Sequence, residues 1–161
     1  MFVLQNPEKT ITLSLNLNNN KFLDINLERE DFENWVPFVF HLDIDHARLS
    51  YVEEDGATFS LYELKRLLVD IEAILQRKHA GLEIERYEFS SCECYFDMVF
   101  YDTLEEGFVY MEVWINIGSH SNGQSFGYDK GVRFVASLSE LENFKNGINM
   151  QLNVLLASLY S

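Results

Sequence analysis

The sequence has little of what stabilises a small secreted protein or anchors a chain in a membrane. Cys92 and Cys94 are its two cysteines, and their spacing on one face of a probable strand gives poor disulfide geometry. We therefore predict two free thiols in a reducing compartment. No apolar run approaches the ~20 residues of a membrane helix, and the first residues lack the basic and apolar regions of a signal peptide. These absences predict a soluble, cytoplasmic protein.

Positive charge is also scarce. The chain has 12 Lys and Arg against 26 Asp and Glu, which gives a formal net charge of −14 over 161 residues. Its composition is 47% apolar and 14% aromatic, which favours a folded core over an acidic disordered chain. At this length we expect one domain, residues 1–161. The charge repels nucleic acid and anionic membranes, so we expect a basic protein partner, no nucleic acid and no membrane.

Strict alternation of apolar and polar residues predicts strands over much of the chain. Consecutive strands joined by short turns pair antiparallel, and the first two are expected to form a hairpin. The predicted strands are residues 11–17, 22–27, 35–44, 47–52, 83–89, 93–102, 108–117 and 132–136.

Two segments change to the 3.6-residue period of an amphipathic helix. Ser60 and Glu63 predict a capping box before a leucine-rich stripe, and Ser137 and Glu140 predict a second one before the closing helix. Gly147 within the closing helix costs about 1 kcal/mol relative to alanine. The order of elements predicts an α+β fold: a mostly antiparallel sheet of about seven to eight strands with two amphipathic helices packed on one face.

The opposite face of this sheet is left for water or a partner, and its outward residues mix rings with carboxylates. Aromatic side chains are enriched at binding surfaces because they bury much area at low entropy cost. Alternatively, the rings form cross-strand pairs on a solvated sheet. The predicted partner contacts are the outward residues Trp35, Asp43, Asp97, Tyr110, Glu112 and Trp114, with the acidic tip Glu53, Glu54 and Asp55 as steering charge.

No group of residues carries a convincing catalytic or cofactor-binding signature. His41, Asp43 and Asp45 alternate along one strand as metal ligands can, but any polar strand face has this pattern. His120 lies beside Ser119 in a glycine-rich loop that lacks a nucleophile elbow. We therefore predict no enzyme, no cofactor and no metal. The alternatives are a small metal-dependent enzyme, or a self-associating domain that forms a homodimer through its sheet face.

Two short stretches and the order of elements resemble a known family. Glu33-Asn34-Trp35-Val36 opens the long strand, and Ser60-Leu61-Tyr62-Glu63-Leu64 begins the first leucine-rich helix. With the strands between and after them and the closing helix, this layout resembles the WapI family of bacterial immunity proteins. The resemblance implies a small cytoplasmic inhibitor encoded beside a secreted polymorphic toxin, commonly a nuclease, and it implies no catalytic residues. An acidic inhibitor would complement the basic substrate cleft of such a toxin.

Overall fold

The strands form two antiparallel sheets rather than one. A computed structural model describes residues 2–160, and positions 1 and 161 of the predicted domain lie outside the described residues. The α+β class with antiparallel pairing and two long helices is confirmed. The elements are β1 (Val3–Gln5), β2 (Ile11–Leu17), β3 (Trp35–Ile44), β4 (Ala47–Tyr51), β5 (Thr58–Ser60), α1 (Leu61–His79), β6 (Tyr87–Ser90), β7 (Phe96–Tyr101), β8 (Phe108–Asn116), α2 (Ile117–His120), β9 (Asp129–Ser137) and α3 (Leu138–Ser158).

The first sheet has the order β1-β2-β3-β4, and β5 pairs with the beginning of β3. The predicted hairpin of residues 11–17 with 22–27 is wrong, because β2 pairs with β3 and residues 22–27 contribute one bridge, Asp24 to Trp35. Side-chain bonds replace a ladder in this segment. The Asn26 N–H donates to Asn34 Oδ1 at 2.8 Å, and Asn26 Oδ1 accepts from Glu28 N–H at 2.9 Å.

The second sheet has the order β6-β7-β8-β9, and the inner faces of both sheets share one hydrophobic core. The rings of Phe40 and Phe96, one from each sheet, stack with their centroids 4.5 Å apart. The Tyr51 hydroxyl, at the end of β4, donates to the Tyr95 carbonyl at 2.7 Å. These contacts hold the two sheets against each other.

Helix α1 begins at the predicted capping box. Ser60 Oγ accepts from the Glu63 N–H at 3.2 Å, and Glu63 Oε2 accepts from the Ser60 N–H at 2.7 Å. The second oxygen of this buried carboxylate accepts from the Cys92 N–H at 2.5 Å. At the other end of α1, Lys78 pairs with Asp102 at 2.8 Å. Since Cys92 precedes β7 and Asp102 follows it, α1 lies along this strand.

Helix α3 closes one edge of the first sheet. Ser137 caps it by accepting from the Glu140 N–H at 3.2 Å, but the Glu140 carboxylate accepts from the Gln5 N–H of β1, at 3.0 Å. Further along α3, Gln151 Oε1 accepts from the Leu17 N–H of β2 at 2.7 Å. The predicted second capping box is therefore half formed, because its carboxylate bonds to the edge of the sheet instead.

Gly147 lies where the ring of Phe2 rests on α3. A Cβ atom added at Gly147 would be 2.0 Å from Cγ of Phe2. Glycine in this helix is explained by the close approach of the ring, which offsets its cost in helix propensity.

Replacing Gly147 by alanine should destabilise the protein by about 1–3 kcal/mol, because overpacking outweighs the gain in helix propensity. Urea unfolding followed by circular dichroism measures the change. The double variant F2A/G147A should recover part of the loss. Asn153→Ala, at an exposed position of the same helix, should change the free energy of unfolding by less than about 0.5 kcal/mol. A stabilised Gly147→Ala variant would contradict the packing of Phe2 on α3.

Candidate partner-binding surface

The outward face of the second sheet gathers four of the predicted contact residues. Tyr110, Glu112 and Trp114 alternate along β8 with residues that are fully buried in the core, and Asp97 of β7 lies directly opposite Trp114. We call this surface the β8 face, and it consists of Asp97, Tyr101, Tyr110, Glu112, Trp114 and Arg133.

Glu112 organises the centre of the β8 face. Glu112 is 7% exposed, and its carboxylate accepts from Trp114 Nε1 at 3.0 Å and pairs with Arg133 Nε at 3.3 Å. The Arg133 guanidinium also lies 5.8 Å from the centre of the Trp114 ring. Glu112 thus holds the indole and the guanidinium in place, while the Arg133 side chain stays 69% exposed. Sequence reasoning missed Arg133, which the direct pairing of Glu112 with Arg133 across β8 and β9 brings onto this face.

Two tyrosine rings stack beside this group. Tyr101 and Tyr110 lie opposite each other on β7 and β8, with ring centroids 5.1 Å apart at an interplanar angle of 22°. The guanidinium of Arg86 lies 5.9 Å from the Tyr101 ring centre. Tyr110 is 39% exposed, so the stacked pair presents an apolar ring surface together with the polar tyrosine hydroxyl groups.

Asp97 is the unusual acid of the β8 face. Burial raises the pKa of its carboxyl, a hydrogen bond with Ser90 lowers it, and the charges of Asp129 and Glu88 raise it further. No cation within residues 2–160 pairs with Asp97. Glu88 is already paired with Arg86 at 2.7 Å, so Asp97 and Asp129 are the two carboxylates of this group outside the ion pairs of the described residues, and they place negative potential beside Trp114.

An acidic cleft of about 750 Å³ continues from Tyr110 toward the end of α1. Leu82 and Leu104 in its lining are 51% and 107% exposed. The ammonium group of Lys78 in this lining already pairs with Asp102, so the cleft keeps an acidic balance. Its lining is Lys78, Gly81, Leu82, Glu83, Asp102, Thr103, Leu104, Glu105, Glu106, Tyr110 and Val135.

Two predicted contacts belong to the first sheet and do not join the β8 face. Trp35 is half-buried at the beginning of β3, where its backbone bridges to Asp24. Asp43 is bound by the Arg48 side chain at 2.6 Å. This hydrogen bond lowers the pKa of the Asp43 carboxyl.

The acidic tip lies near the beginning of β9. Glu53–Asp55 forms an exposed 3-10 turn, in which Asp55 Oδ2 accepts from the Val52 N–H at 2.7 Å. Burial raises the pKa of the Tyr51 hydroxyl, and the charges of Asp55 and Asp129 add to the shift. The Tyr51 hydroxyl lies 3.5 Å from the carbonyl oxygen of Asn116, and Asn116 pairs with Asp129, so the end of β4 that leads into the tip lies close to the first residue of β9.

Sequence reasoning also missed two exposed rings in the loop before β9. Tyr128, which directly precedes Asp129, is 48% exposed, and Phe126, three positions before Asp129, is 78% exposed. The aromatic residues between the glycines of this loop are the sequence signal that could have indicated a protein contact.

The side chains of the alternative metal hypothesis do not converge. Asp43 is occupied by Arg48, Asp45 lies in a turn with a φ of 50°, and His41 Nδ1 is buried without a hydrogen-bond partner. Within the described part of the chain, no three His, Cys, Asp or Glu side chains come together as a metal site requires. Ser119, beside His120, donates its hydroxyl to the Cys94 carbonyl at 2.7 Å.

The fold and the β8 face define a small acidic α+β domain that presents rings and charges on an antiparallel sheet, a surface suited to binding another protein. The model of the Immunity protein WapI-like family matches residues 3–155. The chain belongs to this family, which confirms the resemblance seen in its sequence. Family membership supports an immunity role, and with it a toxin as the binding partner and inhibition without catalysis.

Neither the curated proteins nor the solved structures include a match to this chain. Among residues 2–160, no helix combines the length and the apolar composition needed to cross a bilayer.

Replacing Asp97 by asparagine should stabilise the protein at pH 7. Folding raises the pKa of the Asp97 carboxyl, so at pH values above this raised pKa its ionisation opposes folding. Below the unfolded value of about 3.9 the carboxyl is protonated in both states, and this penalty is absent. The gain should therefore shrink as the pH falls from 7 to 4, as measured by denaturant unfolding at each pH. Asp43→Asn should act in the opposite direction at pH 7, since Arg48 lowers the pKa of Asp43. Parallel pH profiles for the two variants would contradict this.

Proposed function

We propose that this protein is an immunity protein that binds and neutralises a cognate polymorphic toxin domain of basic charge in the cytoplasm. The match of the WapI-like family model to residues 3–155 carries the proposal. The inhibitor acts by covering the surface of the toxin, and it performs no chemistry of its own.

The distribution of charge supports a cationic partner. Within residues 2–160, eight ion pairs, each with its own acid and base, use eight of the 26 acids and eight of the 12 bases. Pairing removes equal numbers of both signs, so the 18 acids and four bases outside these pairs carry the whole net charge of −14. Such a field accelerates encounter with a basic surface. A nuclease, whose cleft is basic in order to bind its substrate, fits this description.

The β8 face supports the proposal because its rings are already fixed in the free protein. Glu112 holds the Trp114 indole, and Tyr101 holds Tyr110 by stacking. Rings that are fixed before association lose little entropy on binding, and tryptophan and tyrosine are the residue types most often critical in interfaces.

The proposed function is tested with the toxic C-terminal domain encoded by the neighbouring gene. Expression of this protein should restore growth of cells that produce the toxin domain, and the two purified proteins should form a complex. Trp114→Ala should weaken the complex at least about tenfold, the loss typical of a central ring. Phe32→Ala, which removes a 62% exposed ring outside the β8 face, should change the affinity less than about twofold. Absence of both rescue and binding would refute the immunity role.

Association with the toxin domain should slow at least about tenfold as salt rises from 20 to 300 mM, because screening weakens steering. The dissociation rate should change much less, and stopped-flow fluorescence measures both rates. The double variant E53Q/E54Q should slow association at low salt more than E28Q/E142Q, which removes the same charge at exposed positions elsewhere. An association rate independent of salt would contradict the basic character of the partner.

A further inference from the structure

Strand β9 presents a row of backbone groups that point away from the second sheet. Residues bonded to the neighbouring strand alternate with residues that are not. Two bonds, one beyond each end of the β8–β9 pair, show which residues of β9 bond to β8. The Ile117 N–H donates to the Tyr128 carbonyl at 3.2 Å, and the Leu138 N–H donates to the Gly107 carbonyl at 2.9 Å. Even-numbered residues of β9 therefore bond to β8, and odd-numbered ones face outward.

The outward groups of β9 have no partner. The backbone N–H and carbonyl groups of Arg133 and Val135 make no hydrogen bond to any group within residues 2–160. Arg133 is exposed and Val135 is half-buried. An unpaired strand edge of this kind is a template for another strand.

The other edges of the two sheets are closed or short. The outward N–H groups of Gln5 and Leu17, on the edge of the first sheet, are bonded by the side chains of Glu140 and Gln151 from α3. Strand β4 has five residues and β6 has four, whereas β9 has nine. Among the described elements, β9 is therefore the longest edge open to a partner.

The surroundings of β9 favour a cationic segment over a second copy of this chain. Two copies, each with a net charge of −14, repel one another. Val135 lines the acidic cleft together with Glu105 and Glu106, and Asp129 begins the strand. Of the two bases on β9, Arg133 is already paired with Glu112, so Lys130 is the one strand cation outside the ion pairs of residues 2–160. On the inner side of the sheet, half-buried Val132 offers an apolar contact for alternate side chains of an added strand.

We propose that an extended segment of the toxin adds to β9 as a fifth strand of the second sheet, with its basic side chains toward the acidic cleft. Main-chain hydrogen bonds supply affinity in this mode, and the side chains beside the edge supply selectivity. The proposal rests on the proposed function and adds to it the edge by which the toxin is held. It extends the β8 face, to which β9 contributes Arg133.

Amide hydrogen exchange measured by NMR tests the added strand, with the protein free and saturated with the toxin domain of the rescue experiment. The Arg133 and Val135 amides should exchange at least about tenfold more slowly in the complex. The Val132 and Phe134 amides, bonded to β8, should be protected in both states. The Ser50 amide, on the edge of β4, should not change. Binding without slower exchange at Arg133 and Val135 overturns the inference and leaves the proposed function standing, whereas absence of binding overturns both.

Val135→Pro tests the same edge by mutation, because it removes an outward N–H and no bond to β8, a placement that proline tolerates. The dissociation constant for the toxin domain should rise at least about tenfold. Ser50→Pro, on the edge of β4, should change it less than about twofold. Circular dichroism shows whether each variant is folded. If Val135→Pro does not fold, the exchange measurement on the unaltered protein alone tests the added strand. A dimer of the free protein that Val135→Pro converts to monomer would identify a second copy as the occupant and overturn the proposal.

Discussion

Stacking between phenylalanine rings of the two sheets is the contact on which the rest of the molecule depends. Phe38 stacks on Phe59 at 4.1 Å within the first sheet, and Phe40 stacks on Phe96 at 4.5 Å across to the second. Residues of both sheets and of both long helices form one hydrophobic core, so each sheet covers part of the inner face of the other. The outward face of the second sheet is free to carry rings and charges because its inner face is occupied in this way.

The surplus of acid is compatible with this core because the charges lie at the surface and the buried carboxylates are bonded. Glu63 bonds to two backbone N–H groups, and Glu112 bonds to an indole and a guanidinium. The net charge of −14 rests on acids outside the ion pairs of residues 2–160, and the repulsion among these acids does not stabilise the fold. A property that folding does not require is better explained by association, and this reasoning connects the composition of the chain with an immunity role.

Local patterns in the sequence predicted the long elements, and contacts between distant residues explain the differences. Strands β2 and β3 match their predicted bounds, and α1 begins at its predicted cap, because alternation and capping are properties of neighbouring residues. Strands β1 and β5, of three residues each, are too short for any periodicity to show. The division into two sheets and the position of Arg133 depend on which strands pair. The nine predicted contacts divided for the same reason, since Asp97, Tyr110, Glu112 and Trp114 share a sheet that Trp35 and Asp43 do not.

The closure of the first sheet by α3 has a consequence for the way the protein is made. The bond between the Gln5 N–H and the Glu140 carboxylate joins residues 135 positions apart, so β1 and β2 are synthesised long before the helix that covers them. On the ribosome, the growing chain therefore carries an uncovered strand edge until α3 emerges, and such edges invite aggregation. The edge of the first sheet is therefore covered only after the last helix has been translated. This last step of folding depends on contacts between residues that are distant in sequence.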